Sequence, residues 1–393
     1  MHKMTVRDTD LKNKTVIMRA DFNVPQDANL KITDDTRIKA TLPTIKYILE
    51  KGAKKLILMS HLGRPDGRVV AKYSLKPVAL KLQELLGEPV RFLNDCVGES
   101  VKQETAAAKE RVVLLENLRF HAEEEADEAN FSKELASLAD IYVNDAFGTA
   151  HRSHASTAGI AHNLKAVAGL LLEKEIQYLG NAVSNPPRPF MVILGGAKVS
   201  DKIGVIENLL PKCDAILIGG GMAYTFLKAQ GLSIGNSKLE KDKLDLAGDI
   251  LAKAKKLNKQ ILLPIDNIVV ANVSADAQSE IVGESIPEGK IAVDIGPKTV
   301  ALFKEKLKSA KTIVWNGPLG IFEMDAFSRG TEAIAEFIIT LSATTIIGGG
   351  DTAAAVAKFK LEDKMTHIST GGGASLEFLE GKALPGIAAL TDK

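Results

Sequence analysis

The sequence predicts an α/β protein built in two halves, each a mainly parallel sheet with crossover helices. Three observations carry this. Short, near-continuous apolar runs alternate with longer amphipathic stretches along the 393 residues, as in parallel strands joined by helices and buried on both faces. SNPPRP (Ser184 to Pro189) interrupts the alternation, because paired prolines cannot continue regular structure, and it restarts at Phe190. The apolar runs also end differently before and after that break.

In the first half, TVIMRADF is a strand, followed by the helix IKATLPTIKYILEKGA, with apolar residues at helical spacing and Gly52 as its stop. KKLILMSH, the helix LKPVALKLQELLG, the strand RVVLLEN, an acidic helix around EEEADEANFSKELASLA and the strand IYVNDAF come next. LLLEKEIQYLGNAV is a helix leading into the break. In the second half FMVILGG, AILIGGG, QILLPID, TIVWNG, TTIIGGG and HISTGGG are strands. VSDKIGVIENLL is a helix whose start places Lys198 and Lys202 on one face. The last stretch, Glu380 to Lys393, either caps the second half or crosses back to the first; composition leaves both open.

The length suits two or three domains, and 45% hydrophobic with 25% charged residues are the proportions of a soluble globular chain. A net charge of +1 provides no global field for nucleic acid or an anionic membrane, so any anion site must be a local cluster. Cys96 and Cys213 have no metal-ligand spacing and read as free thiols in a reducing cytoplasm. MHKMTVRDTDLKNK has no long apolar segment of a secretory leader, and no run approaches the ~20 apolar residues of a membrane span.

In open α/β sheets ligands gather at the carboxyl ends of parallel strands. In the second half those ends are glycines: Gly195-Gly196, Gly219 to Gly221, Gly348 to Gly350, and Gly371 to Gly373. Ends without side chains allow close backbone approach to a polyphosphate. In the first half they are Arg19, Asp21 and Asn23, then His61 and Arg64, then Arg119, with Arg37, His151, Arg152 and His154 in nearby loops. Guanidinium clusters suit a small carboxylate or phosphate anion. Any one of these arginines alone reads as a solvated surface group, and the case rests on their recurrence. Arg19, inside its apolar run, is expected to be structural and to pair with a neighbouring carboxylate.

Lys198 and Lys202 near a helix start point to polyphosphate, although like-charge repulsion of only ~0.2–0.5 kcal/mol does not exclude two solvated lysines. Asp351 is either a helix cap or a Mg²⁺ ligand beside phosphates. GGAKVSDK lacks the P-loop spacing, and GGGMAY lacks the third glycine of the dinucleotide fingerprint, which disfavours a nicotinamide dehydrogenase. No Ser-His-Asp order or HExxH pattern stands out. A substrate nucleophile already ionised at neutral pH, such as a carboxylate, would need no general base.

VIMRADFNVP (Val16 to Pro25) resembles the signature segment of phosphoglycerate kinases. The resemblance continues in order through SHLGRP, LENLRF, NDAFGTAHRSHAS, GGAKVSDKI, IGGGMAYTFL, WNGPLGIFE, GGGDT and STGGGAS, covering essentially the whole chain in a bacterial-looking form. It implies two Rossmann-like three-layer αβα lobes: 1–169 for 3-phosphoglycerate, with a tail at 380–393 packing back on it, a hinge helix at 170–185, and a nucleotide lobe at 186–379. It implies reversible phosphoryl transfer from 1,3-bisphosphoglycerate to MgADP, giving 3-phosphoglycerate and MgATP, by a protein usually monomeric.

By the same resemblance Asp21, Asn23, Arg37, His61, Leu62, Gly63, Arg64, Arg119 and Arg152 would hold the phosphoglycerate. Lys198 would stabilise the transferring phosphoryl group, with Arg37 and the backbone of Gly372 and Gly373. Gly195, Gly196, Lys198, Lys202, Gly219, Gly220, Gly296, Asn316, Gly317, Pro318, Glu323, Gly349, Gly350 and Thr352 would line the nucleotide, with Glu323 at the ribose, and Asp351 would bind Mg²⁺. A catalytically inactive nucleotide-binding scaffold is the rival reading. Such a scaffold would be expected to have lost Lys198, Asp351 or Arg37, and all are present.

Overall fold

The computed structural model describes residues 2–393. The chain divides into two compact units, Met1–Gln177 with Ala383–Lys393, and Tyr178–Lys382.

The first unit runs β1 (Thr15–Arg19), α1 (Thr36–Glu50), β2 (Lys55–Met59), α2 (Lys76–Leu86), β3 (Val90–Phe92), α3 (Glu99–Ala107), β4 (Val112–Leu114), α4 (Ala122–Glu125), α5 (Ala129–Ala136), β5 (Ile141–Asn144), β6 (Lys165–Ala168) and the start of α6 (Leu170–Ser184). Its six strands are all parallel, in the order β3-β4-β2-β1-β5-β6. The central strands are buried almost throughout. Val16, Met18, Leu56, Leu58 and Val143 pack with Ile45 and Ile48 of α1 in one core, where each large aliphatic side chain contributes about 1.5–3 kcal/mol by leaving water.

The second unit runs β7 (Phe190–Leu194), α7 (Ile203–Leu209), β8 (Ala215–Ile218), α8 (Gly220–Ala229), α9 (Leu244–Lys256), β9 (Gln260–Leu262), β10 (Asp266–Val270), β11 (Glu280–Gly283), β12 (Ile291–Ile295), α10 (Pro297–Leu307), β13 (Thr312–Asn316), α11 (Arg329–Ile338), β14 (Thr344–Gly348), α12 (Gly350–Lys358), β15 (His367–Ile368) and α13 (Gly373–Leu379). Six parallel strands lie in the order β15-β14-β13-β7-β8-β9. Trp315 is fully buried among Ile193, Ile334 and Ile347, and its Nε1 donates to the Gly317 carbonyl at 2.8 Å.

The division of the chain falls inside α6, and the return begins at Ala383 rather than at residue 380. The short α14 (Pro385–Ala388) and the C-terminal residues after it are fastened within the first unit. Thr391 N donates to Ala166 O at 2.9 Å, Met4 N to Thr391 O at 2.8 Å and Gly386 N to Ala150 O at 2.8 Å.

Several local expectations are corrected. The acidic helix is two helices, because Asp127 takes a positive φ of 53° and Glu128 caps α5 by accepting from Phe131 N at 2.8 Å. QILLPID is not one strand: Pro264 lies between β9 and β10, and β10 belongs to a separate antiparallel sheet, β11-β10-β12. A proline cannot donate to a central ladder. The helix expected to carry both Lys198 and Lys202 starts only at Ile203. The Glu240 carboxylate accepts from Val199 N, Ser200 N and Ser200 Oγ, so the preceding residues are held as an irregular loop.

Candidate functional site

Two clusters form at strand carboxyl ends, one in each unit. In the first, β1 delivers Arg19, whose side chain is fully buried. Its Nε donates to Ser156 Oγ at 2.9 Å, and Ser156 Oγ in turn donates to the buried Glu124 at 2.5 Å. The carboxylate expected beside Arg19 is therefore present, but reached through a hydroxyl. Arg19 Nη2 lies 3.1 Å from His61 Nδ1. Phe22 N donates to Ser60 Oγ at 2.8 Å, tying the end of β1 to that of β2.

Around this buried frame stand the more accessible groups. Arg37, on the first turn of α1, pairs with Asp21 at 2.9 Å. Asn23 Oδ1 accepts from Gly63 N at 2.9 Å. Gly63 has a φ of 64°, and a Cβ there would run into the Tyr73 ring, so packing alone demands glycine. Leu62 is buried, and its carbonyl accepts from Asn117 Nδ2 at 2.7 Å. Arg119 donates from Nη1 to Gly63 O at 3.0 Å and has Nε 3.1 Å from Glu125, while its buried Nη2 has no hydrogen-bond partner. Arg152 Nε donates to His151 Nε2 at 3.3 Å, and Arg64 is exposed.

The electrostatics show the convergence. His61 is held well below the usual imidazole range, first by burial and then by Arg19, Arg119, Arg152 and Arg37. His154 is pushed down to about 4, by burial and then by Arg119, Arg19 and Arg152. Arginines far apart in sequence thus raise the potential around the same two rings, which stay neutral. Such a concentration of positive charge, with an unpartnered guanidinium nitrogen, suits an anion.

In the second unit, loops leaving β7, β13, β14 and β15 enclose a cavity of about 290 Å³ lined by Gly195, Gly196, Lys198, Asp201, Lys202, Asn316, Gly317, Gly349, Gly350, Asp351, Thr352, Gly372 and Gly373. A second cavity of about 390 Å³ shares Gly196 and Asp351 and is lined further by Gly220, Tyr224, Lys238, Val293, Pro318, Ile321 and Glu323. Both are of the size order of small-molecule sites. Lys202 Nζ donates to Asn316 Oδ1 at 2.5 Å. That contact turns the amide nitrogen the other way, and Asn316 Nδ2 is buried without a hydrogen-bond partner. Lys202 is lowered from its ordinary value by burial, against the carboxylates of Asp201, Asp351 and Glu380. Lys198 is exposed on its loop and forms no ion pair among the described residues.

The glycines divide into two kinds. A Cβ on Gly195 would strike the carbonyls of Gly317 and Pro318, one on Gly317 the Gly195 backbone, and one on Gly220 the Pro318 carbonyl. These let the loops close on each other. At Gly196, Gly350 and Gly372 a Cβ would meet nothing within 4 Å, so space for an approaching ligand remains. Asp351 is exposed in the first turn of α12, and the cap position belongs to Gly349, so the carboxylate caps nothing. Thr352 Oγ1 is buried and accepts from Gly317 N at 2.6 Å.

Two expected nucleotide residues line neither cavity. Gly219 packs against Leu319, and Gly296 stands where a Cβ would meet the Asp266 carboxylate that caps α10 through Lys298 N and Thr299 N. Sequence reasoning also missed supporting residues. Asn117, fully buried, holds Leu62 O, Tyr73 O and Arg119 N together. Glu240 shapes the Lys198 loop from a distant segment, and no periodicity or spacing marks it.

Residues 6–382 match the family model described as phosphoglycerate kinase. A protein named phosphoglycerate kinase from Koribacter versatilis is 59% identical over 405 residues, covering 100% of both chains. One from Dictyoglomus turgidum is 59% identical over 393 residues, covering 99% of this chain and 98% of the relative. The solved phosphoglycerate kinase of Coxiella burnetii superposes with a TM-score of 0.92 at 44% identity, covering 98% of each chain. That of Pyrococcus horikoshii superposes with a TM-score of 0.83 at 34% identity, again over 98% of each chain.

Proposed function

The chain belongs to the phosphoglycerate kinase family and catalyses reversible phosphoryl transfer from 1,3-bisphosphoglycerate to ADP, giving 3-phosphoglycerate and ATP; on that premise we infer how its own residues divide the work. The arginine cluster of the first unit takes the phosphoglycerate. The observation that carries this is the convergence of Arg19, Arg37, Arg119 and Arg152 on His61. Arg19 is the buried frame. Arg37, Arg119, Arg152 and Asn23 reach the ligand, with Asp21 orienting Arg37 and Arg64 closing from the exposed side.

The cavities of the second unit take the nucleotide. Asn316 Nδ2 and Lys202 meet phosphate oxygens, and Glu323 meets the ribose. Mg²⁺ enters with the nucleotide as part of the substrate. Asp351 fits it, being an exposed hard carboxylate that caps nothing and lines both cavities. It would neutralise phosphate charge there. Lys198, exposed on a glycine-bordered loop, stabilises the transferring phosphoryl group, together with Arg37 and the amides of Gly372 and Gly373.

In the ATP-consuming direction the acceptor carboxylate is already ionised. No general base is required, and catalysis is positioning plus charge stabilisation. Both sites must be brought together and water excluded, or the acyl phosphate hydrolyses; α6 is the hinge in this reading. The protein acts as a monomer.

A coupled assay with 3-phosphoglycerate and MgATP measures the transfer. Calorimetry on Arg37→Ala and Arg152→Ala separates the sites: 3-phosphoglycerate binding weakens and MgADP binding stays near parental. The opposite pattern overturns the assignment of ligands to units.

A further inference from the structure

The loops leaving the edge strand β3 and its neighbour β4 bring together three side chains that phosphoryl transfer does not use. Asp95 and Cys96 come after β3. His121 comes after the turn Leu118–Phe120 beyond β4. His121 Nε2 is 2.7 Å from Asp95 Oδ1. One ligand atom from each of Asp95, Cys96 and His121 lies within 4.8 Å of the others. Ligand atoms ~2.0–2.3 Å from a tetrahedral ion are themselves ~3.3–3.8 Å apart, so small rotations would close these three around one centre.

We propose that Asp95, Cys96 and His121 form a binding site for a thiophilic divalent cation of the Zn²⁺ class, separate from the nucleotide's Mg²⁺. A thiolate, an imidazole and a carboxylate are the donors that such an ion takes, and that Mg²⁺ does not favour. The neighbouring Glu116 carboxylate is already engaged by Ser74, Leu75 and Asn117, which leaves Asp95 as the carboxylate beside the imidazole.

The site is also held in shape. Asp95 Oδ1 accepts from Cys96 N at 2.7 Å, Glu116 N donates to Asp95 O at 3.3 Å, and the His121 ring packs on Phe131 with centroids 5.3 Å apart. Outer contacts of this kind orient ligands around metals. Cys96 is fully buried while Asp95 and His121 are partly exposed, so the ion enters from the solvent side with water as fourth ligand. On binding, the Cys96 thiol proton leaves to solvent and the metal takes its place.

The test is a Co²⁺ titration of the metal-free full chain, followed by absorption. One equivalent should produce a thiolate-to-cobalt charge-transfer band with intense tetrahedral d–d bands, Zn²⁺ should displace them, and excess Mg²⁺ should not. Cys96→Ser should abolish the charge-transfer band, whereas Cys213→Ser should keep it. His121→Ala and Asp95→Asn, changes at partly exposed positions, should each weaken Co²⁺ binding tenfold or more with an unchanged melting temperature. No band in the parent protein, a band surviving Cys96→Ser, or undiminished affinity in both surface variants overturns the proposal and leaves His121 and Asp95 a simple ion pair.

Discussion

Arg19 Nη2 lies 3.1 Å from His61 Nδ1, in a fully buried contact. A guanidinium can only donate, so Nδ1 must accept and the ring proton sits on Nε2. His61 therefore offers a neutral N–H donor beside the arginine cluster. His61→Gln, which can both accept from Arg19 and donate outward, should keep more 3-phosphoglycerate affinity than His61→Ala. The alanine variant should also lose about 1–3 kcal/mol of stability, because a buried donor is left unpaired. Calorimetry and thermal melts on the two variants check both effects.

Lys198→Ala should fold normally and lose most turnover. The side chain is exposed, with no ion pair among the described residues, so removal costs little structurally. A cation on the transferring group contributes on the order of 10³-fold or more. Near-parental turnover at an unchanged melting temperature would remove Lys198 from the chemistry.

The two kinds of glycine separate stability from binding. Gly317→Ala puts a Cβ against the Gly195 backbone at a φ of 103°, and should cost roughly 2 kcal/mol or more. Gly350→Ala meets nothing within 4 Å. It should melt like the parent and bind MgADP more weakly. Equal melting temperatures for the two variants would contradict this division.

Buried groups should tilt the pH dependence of stability in opposite directions. Asp145 Oδ1 accepts from Leu171 N at 2.9 Å at the start of α6, Oδ2 has no partner, and burial pushes the carboxyl up to about 7. Between the unfolded value of 3.8 and about 7 the folded chain holds a proton that the unfolded chain lacks. The stabilisation is full below the lower value and is lost as pH rises through the upper, over a span worth about 4 kcal/mol. Asp145→Asn should therefore gain on the parent from pH 5 to pH 8. His154, pushed down to about 4 from 6.5, has the opposite sign: its contribution is lost as pH falls through that interval. His154→Gln should gain on the parent toward pH 5. Denaturant titrations across this range measure both slopes.

In-line transfer needs donor and acceptor within a few ångströms, while the anion cluster and the nucleotide cavities belong to different units. Small-angle scattering should show the radius of gyration smallest with 3-phosphoglycerate and nucleotide together, and each ligand alone should shift it less. One radius in all states, at full activity, would remove α6 as a hinge.

The sequence alone determined most strands of the two parallel sheets and the chemistry at their ends, because burial on both faces leaves continuous apolar runs and strand termini carry the ligand-facing groups; β3 and β6, three and four residues long, are too short to stand out as such runs. It placed Arg19 inside a strand, and Lys202, Asn316 and Asp351 at glycine-rich ends. Only the tertiary structure decided what those groups touch. Glu240 unwinds the expected start of α7, Pro264 parts β9 from a second, antiparallel sheet, and Ser156 stands between Arg19 and Glu124. Gly195 and Gly317 serve loop packing while Gly350 faces open space, a difference that identical residues cannot display. Asp95, Cys96 and His121 meet because β3 pairs with β4, where no sequence spacing could reveal them. Periodicity and composition are local properties of the chain; hydrogen-bond partners and electrostatic neighbours are set by which strand ends the sheet order brings side by side.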